Sequence, residues 1–264
     1  METVDLNNPS RCERWPLACP GISFAVLLLG WELLSRFSGL SPQVFPGPIP
    51  VLVSMGKLAA SGILLRHTVA SLFRITLGFY LAVLLGLPLG IILGRNRTFS
   101  TLFNPVIQFL KPISPIAWIP LAMLWFGIGD KPAIFLIFLS SFFPLVVSTT
   151  IAVSSINPVY FQVAANFNFT RREVLGKIII PAITPSTITA FRISLSIAWL
   201  VVVAAEMIAV RSGLGYLILD SRNALRMDYV MAGMIVIGVI GLLLDFMMRR
   251  MGQLASTSWY GSGG

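Results

Sequence analysis

The sequence predicts an all-α fold, a polytopic membrane bundle of about six transmembrane helices, and three observations predict it. Of the 264 residues, 56% are hydrophobic and only 11% are charged, whereas about a quarter of an ordinary soluble domain is charged. Apolar runs follow one another from about Leu17 to Met248. The segments between them are short and basic, so lipid, not water, is the solvent these runs are matched to.

The net charge of +9 does not point to nucleic acid. Its basic residues stand singly or in pairs in the connecting segments, without aromatic interleaving, as charge flanking membrane spans does. Cys12 and Cys19, the two cysteines, give neither a disulfide framework nor a zinc pattern. Leu17-Ala18-Cys19 faintly resembles a lipidation site, but the apolar stretch follows it instead of preceding it, so the first span is read as retained. The chain divides into a cytoplasmic amino-terminal segment (1–16), a transmembrane domain (17–250) and a tail (251–264) ending in Gly261-Ser262-Gly263-Gly264.

A membrane helix needs roughly 20 mostly apolar residues. The first such run covers about 17–37 and includes Glu32. The second runs uncharged from Ile75 to Gly94 and begins near Thr68; within it Gly78, Ala82, Gly86, Gly90 and Gly94 recur every fourth residue. That spacing lines small residues along one helix ridge, where a second helix can approach closely. The third, about 103–126, is interrupted by Lys111, Pro112, Pro115 and Pro120. The fourth covers about 132–154, the fifth about 188–210, and the sixth about 229–248. Arg95 with Arg97, and Arg249 with Arg250, stand directly beside span ends, which favours cytoplasmic placement of those ends and of both termini.

Several chemistries lack their residues. No Gly-x-x-x-x-Gly-Lys-Ser/Thr phosphate loop occurs, so the chain has no such site for a nucleotide. His67, the single histidine, has no carboxylates at ligand spacing and is expected at the membrane interface. Glu206 reads as the one acid near the middle of an apolar span, which is too little for a proton relay.

Between the fourth and fifth spans, Asn157 to Ser186 is too polar to span and too long for a tight connection. It reads as a short helix, a polar turn, and a second amphipathic helix ending near Pro181, with Val174, Leu175 and Ile178 on one face and Arg171, Arg172 and Lys177 flanking it.

This run resembles the cytoplasmic coupling loop of ABC importer permeases, whose pattern is Glu-x-Ala, three residues, Gly, then about a dozen residues to an apolar-Pro ending. Gln162-Val163-Ala164 stands at the Glu-x-Ala position, Asn168 at the glycine and Ile180-Pro181 at the end. Gln162 therefore replaces an acid. Asn168 replaces a glycine, and asparagine tolerates the left-handed turn next best. Phe45-Pro46-Gly47-Pro48, Pro115 to Leu121, Trp125 to Asp130, Ala205-Glu206-Met207-Ile208, Gly213-Leu214-Gly215-Tyr216 and Asn223-Ala224 resemble, in order, the nitrate/sulfonate/taurine/bicarbonate branch of that family.

The resemblance implies a type I ABC importer permease-like bundle in the bacterial plasma (inner) membrane. It implies a second permease chain, a homodimer being the simpler case, and separate ABC ATPase subunits that carry the ATP, so that this chain binds no cofactor itself. It also implies a periplasmic or lipid-anchored solute-binding protein. Gln162, Ala164, Asn168, Arg171, Arg172, Glu173, Lys177 and Pro181 are then the ATPase-coupling residues. Proline-broken backbone suits a water-lined path, so Ser114 and Trp118 of the third span, with Ser194 and Trp199 of the fifth, are the pathway candidates. Glu206 is assigned to gating or structure, paired with Arg211 or reaching water. Solutes implied are small anions: aliphatic sulfonates, nitrate or bicarbonate, with Trp125 to Asp130 tilting toward sulfonates. An ion-coupled secondary carrier and a non-transport membrane scaffold are the alternatives.

Overall fold

Arg97 follows directly on the glycine ridge, and where the chain goes next is decided by how that ridge packs. The computed structural model describes residues 18–260 apart from 38, 40 and 42; segment 1–16 and the end of the tail, 261–264, lie outside the described residues. All regular structure among them is helical: α1 (Ala18–Phe37), α2 (Pro48–Ala60), α3 (Ile63–Arg95), α4 (Arg97–Leu110), a 3-10 turn (Pro115–Trp118) leading into α5 (Ile119–Phe126), α6 (Asp130–Ser154), α7 (Pro158–Asn166), α8 (Arg171–Val174), a π turn (Leu175–Ile179), α9 (Ile180–Ala209), α10 (Leu214–Asn223) and α11 (Met227–Tyr260).

The ridge of α3 faces α6. A Cβ built on Gly78 would come within 2.6 Å of Ile137, on Gly90 within 2.6 Å of Thr149, and on Gly94 within 2.6 Å of Val153; at Gly86 the same Cβ would meet Leu145 at an ordinary 3.4 Å. Both numbers of each pair rise together along the ridge, so the two helices run parallel. The link between them, α4 and α5, must therefore carry the chain back across the full thickness of the bundle. This settles what the interrupted third run is: α4 and α5 bend against each other by 84°, yet together they form one broken span and not a re-entrant loop. Pro112 lies in the break, where it removes a donor, and Pro115 opens the 3-10 turn beyond it, holding Ser114 out of the helical region at ψ 129°. Pro120 does not interrupt anything; it sits in the first turn of α5, where its missing N–H costs no helical bond.

α9 runs antiparallel to α6: Ile137 shares a cluster with Ala198 and Val202, while Val153 shares one with Ile179 and Ile183. α11 returns antiparallel to α9, with Trp199 Nε1 donating to the Ile237 carbonyl at 3.1 Å and Ile188 lying against Gly252. One end of the bundle thus holds Arg95, Arg97, the 155–179 segment and Arg249. The opposite end holds the start of α3, Asp130 and the α9–α10–α11 turns.

Four helices among the described residues are long and apolar enough to cross a bilayer, and the broken pair makes a fifth. The expected six is therefore not reached by this count; a sixth rests on α1, an apolar helix of 20 residues at the edge of the described region. Two boundaries also move. α3 begins at Ile63, earlier than Thr68, and so takes in Arg66 and His67. The fifth run is helical back to Arg171, 39 residues in all. At 1.5 Å per residue that is about 58 Å, nearly twice the ~30 Å hydrocarbon core, so its charged first turns lie outside the membrane.

The end that holds Asp130 is locked by a buried ionic network. Arg74 is 2% exposed and Glu206 fully buried. Arg74 Nη1 lies 2.6 Å from Glu206 Oε1 and also donates to the Ser212 carbonyl at 2.8 Å. Its Nε donates to Asp130 at 2.8 Å, and Nη2 reaches Asp130 and Ser212 Oγ. Every N–H of the guanidinium is engaged. The other carboxylate oxygen of Glu206 accepts from Ser71 Oγ at 2.9 Å and from the Gly215 N–H at 3.0 Å, while Ser71 Oγ accepts from the Leu214 N–H. His67 caps the arrangement, its Nδ1 accepting from the Gly213 N–H at 3.0 Å. Glycine is required at 213, where φ is +105° and a Cβ would fall 2.2 Å from the Glu206 carboxyl. The expected pairing of Glu206 with Arg211 is thus replaced by Arg74, 132 residues away. Arg211 is exposed.

Two outcomes follow. Gly90→Leu forces Thr149 aside and lowers the melting temperature of the detergent-solubilised protein, overpacking of this kind costing roughly 1–3 kcal/mol, whereas Gly56→Leu, which meets nothing within 4 Å, leaves the melt unchanged. Glu206→Ala leaves the buried Arg74 only the half-exposed Asp130 as counter-charge and strips the Ser71 hydroxyl and the Gly215 N–H of their acceptor, a loss of about 3–5 kcal/mol visible in the same melt; Arg211→Ala stays within about 0.5 kcal/mol of the parent.

Candidate functional site

The 155–181 segment is a helical hairpin set on the arginine-rich end of the bundle. Asn157 starts it, its side chain accepting from the Val159 N–H at 3.0 Å with Pro158 in the first turn of α7. α7 closes at Phe167, and Asn168 then takes φ 54°, the left-handed conformation that glycine would supply. The bend therefore survives the replacement. Beyond it Thr170 and Glu173 form a capping box: the Glu173 N–H donates to Thr170 Oγ1 at 3.4 Å, and the Thr170 N–H donates back to Glu173 Oε2 at 2.9 Å. Lys177 Nζ lies 3.1 Å from Glu173 Oε1 and 5.0 Å from the Phe169 ring. The Thr170 N–H bond first, then the Thr170 hydroxyl and Lys177, hold the Glu173 carboxyl down to about 2, so it is ionised at any working pH.

Ala164 is 2% exposed and its carbonyl accepts from the Phe169 N–H at 2.9 Å, which closes the end of α7 across the Asn168 bend. Phe161 and Val174 fasten it to the bundle, packing on Ala152, Val153, Ile179 and Ile183; Arg95 lies 4.3 Å over the Phe161 ring. Gln162, Arg171 and Arg172 face outward. Among the described residues neither Arg171 nor Arg172 forms an ion pair within 4.0 Å.

Pro181 does not end the second arm. The chain passes from α8 through a π turn into α9, with Pro181 in the first turn of α9. A proline interrupts the i→i−4 ladder, and the widened π turn takes up the mismatch just before it. The π turn also moves the buried face. The expected Val174, Leu175 and Ile178 become Val174, Ile179 and Ile183, while Leu175 is 38% exposed.

The pathway candidates do not share one surface. Ser114 is exposed in the break of the third span, and Trp118 packs on the cluster of Ile119, Ala122, Val201 and Ala205. Ser194 and Trp199 are turned into the chain's own interior: Ser194 is fully buried without a hydrogen-bond partner, and Trp199 is 6% exposed. The exposed side of α9 carries Thr189, Ser196 and the half-buried Arg192.

Sequence reasoning missed three charged residues within the spans: Arg74, Arg192 and Asp245. Arg192 pairs with Asp245 of α11. Each was visible as an intramembrane charge, which calls for a partner; the partners themselves are set by packing across 132 and 53 residues.

Residues 86–256 match the model of a family described as "Binding-protein-dependent transport system inner membrane component". The chain is 35% identical over 257 residues to the taurine transport system permease protein TauC of Escherichia coli, covering 94% of this chain and 93% of that one. It is 34% identical over 225 residues to the putative aliphatic sulfonates transport permease protein SsuC of Bacillus subtilis, covering 85% and 82%. In fold it resembles a solved chain of the MetNI methionine ABC transporter in an inward-facing conformation, with a TM-score of 0.65 at 16% identity, over 75% of this chain and 98% of that one. A broken-helix membrane bundle with a capped hairpin at its basic end, matched by this family model over most of its length, belongs to the binding-protein-dependent inner-membrane components: it is a permease subunit of an ABC importer.

Proposed function

We propose that the chain forms, with a second copy of itself, the import path for a small sulfonate, and that its 158–181 hairpin docks on a separate ATPase that binds the ATP. The hairpin's outward cations carry this reading. Arg171 and Arg172 project from a bend held by Asn168 and the Thr170–Glu173 box, without an acidic partner of their own. A rigid, cationic knob of this kind suits an acidic groove on another protein.

The basic end of the bundle is then the cytoplasmic one. Arg95, Arg97, Arg171, Arg172, Lys177, Arg249 and Arg250 gather there, with Arg95 and Arg97, and Arg249 and Arg250, directly beside span ends; the opposite end also carries Arg36, Lys57, Arg66, Lys131, Arg211, Arg222 and Arg226, so the density of charge beside the spans, not its count, supports this orientation. α11 finishes on the hairpin side, which on this reading supports a cytoplasmic carboxyl terminus, and a spanning α1 supports a cytoplasmic amino terminus. The solute-binding protein would meet the opposite end, around the α9–α10 turn. The sulfonate assignment rests on what the taurine and aliphatic sulfonate permeases are named for; nitrate and bicarbonate are the other anions the resemblance allows. An ion-coupled carrier gains no support, because Glu206, the acid it would titrate, is sealed by Arg74 and Ser71.

Two measurements test this. Arg171→Glu with Arg172→Glu lowers solute uptake by the assembled transporter about tenfold or more, as expected for losing two charge-assisted contacts of about 1.5–3 kcal/mol each, while membrane insertion is normal; unchanged uptake would refute docking through these residues. In the same complex with its cognate binding protein, taurine or a short alkanesulfonate stimulates ATP hydrolysis and nitrate and bicarbonate do not; the reverse pattern removes the sulfonate assignment.

A further inference from the structure

Arg192 and Asp245 face each other across α9 and α11, and Arg249, one turn further along α11, joins them. Arg192 Nε lies 2.5 Å from Asp245 Oδ1 and its Nη2 is 3.3 Å from Oδ2, while Arg249 Nε lies 2.8 Å from Oδ2. Two guanidiniums thus share one carboxylate, leaving one positive charge over. Among the described residues, Arg192 Nη1 and both terminal nitrogens of Arg249 make no hydrogen bond, in contrast to Arg74, which is saturated. The side chains are 39% and 60% exposed, so the spare donors are open to a ligand. They are also offered at a defined depth, since Arg249 lies at the last turn of the span Met227–Arg250, where phospholipid headgroups begin.

From this cationic end a largely apolar groove runs toward the middle of the span between the same two helices, lined by Leu195, Trp199, Leu200, Gly241, Leu244 and Met248, with Ser196 its one polar residue beyond the charged cluster. Gly241 opens the groove beside the Trp199 ring, its built Cβ falling 3.1 Å from Trp199 Nε1. The flanks are strongly apolar and outward: Leu200 is 72% exposed, Leu242 67% and Met247 60%, which is the surface of a helix pair facing lipid. A small transported anion would gain nothing from that groove. A phospholipid uses both parts, its phosphate on the arginines and an acyl chain along the groove.

We propose that the Arg192–Asp245–Arg249 cluster and the α9–α11 groove form a binding site for an anionic phospholipid. Basic pockets between spans at the cytoplasmic face recognise such headgroups, each basic residue adding about a fivefold preference. The carboxylate of Asp245 orders the two guanidiniums without cancelling them, in the way that paired charges position Arg for oxyanions.

The site is testable on the full-length protein reconstituted in phosphatidylcholine vesicles. Brominated phosphatidylglycerol is titrated in, and the quenching of Trp199 is isolated by subtracting the signal of a Trp199→Phe variant. Half-quenching is expected at a mole fraction at least about fivefold lower than for brominated phosphatidylcholine. Arg249→Gln, the more exposed and structurally safer change, and Arg192→Gln each erase about fivefold of that preference, whereas Asp245→Asn retains it because both arginines remain. Equal quenching by the two lipids, or an unchanged preference in Arg249→Gln, overturns the proposal. So does relief of phosphatidylglycerol quenching by saturating taurine or inorganic phosphate, which would mark the cluster as a site for a soluble anion.

Discussion

The close approach of α3 to α6 is the constraint on which the rest of the architecture depends. Gly78, Ala82, Gly86, Gly90 and Gly94 leave at most a methyl group between the two helices along the ridge, and in lipid, where no hydrophobic force draws helices together, such backbone proximity is what van der Waals packing needs. The pairing is parallel, so the chain must cross back between the two helices. The proline-broken third span supplies that crossing.

α9 then connects the two ends. Its first turn is fused to the coupling hairpin through the π turn, and near its far end Glu206 is held by Arg74 of α3 and the Gly215 N–H of α10. A displacement applied at Arg171 and Arg172 therefore enters a helix whose opposite end is anchored in a saturated ionic network. A packed bundle with one long continuous lever moves as bodies and not by gradual deformation, which suits an importer permease alternating between two arrangements.

The two intramembrane arginines show how burial and saturation divide structure from recognition. Arg74 is enclosed, every donor is used, and it serves to hold helices together. Arg192, half exposed and sharing Asp245 with Arg249, keeps donors for a ligand. The same residue type, in spans that belong to the same bundle, has opposite availability because of what each is packed against.

The local chemistry of the chain was legible from the sequence by itself. Apolar run length gave the long apolar helices and their order, though not α2 or α10, the four-residue period of Gly78 to Gly94 gave the packing ridge, and the polar stretch around Gln162 to Pro181 gave the hairpin, including the left-handed Asn168. These are properties of neighbouring residues, fixed by helix geometry and backbone sterics. Tertiary structure alone decided which helix receives the ridge, that α4 and α5 are one broken crossing, that the buried face after Val174 shifts to Ile179, and that Glu206 meets Arg74 instead of Arg211. Ser194 and Trp199 turned inward for the same reason: which face of α9 is covered depends on α3, α6 and α11 arriving around it, and no periodicity within one helix carries that information.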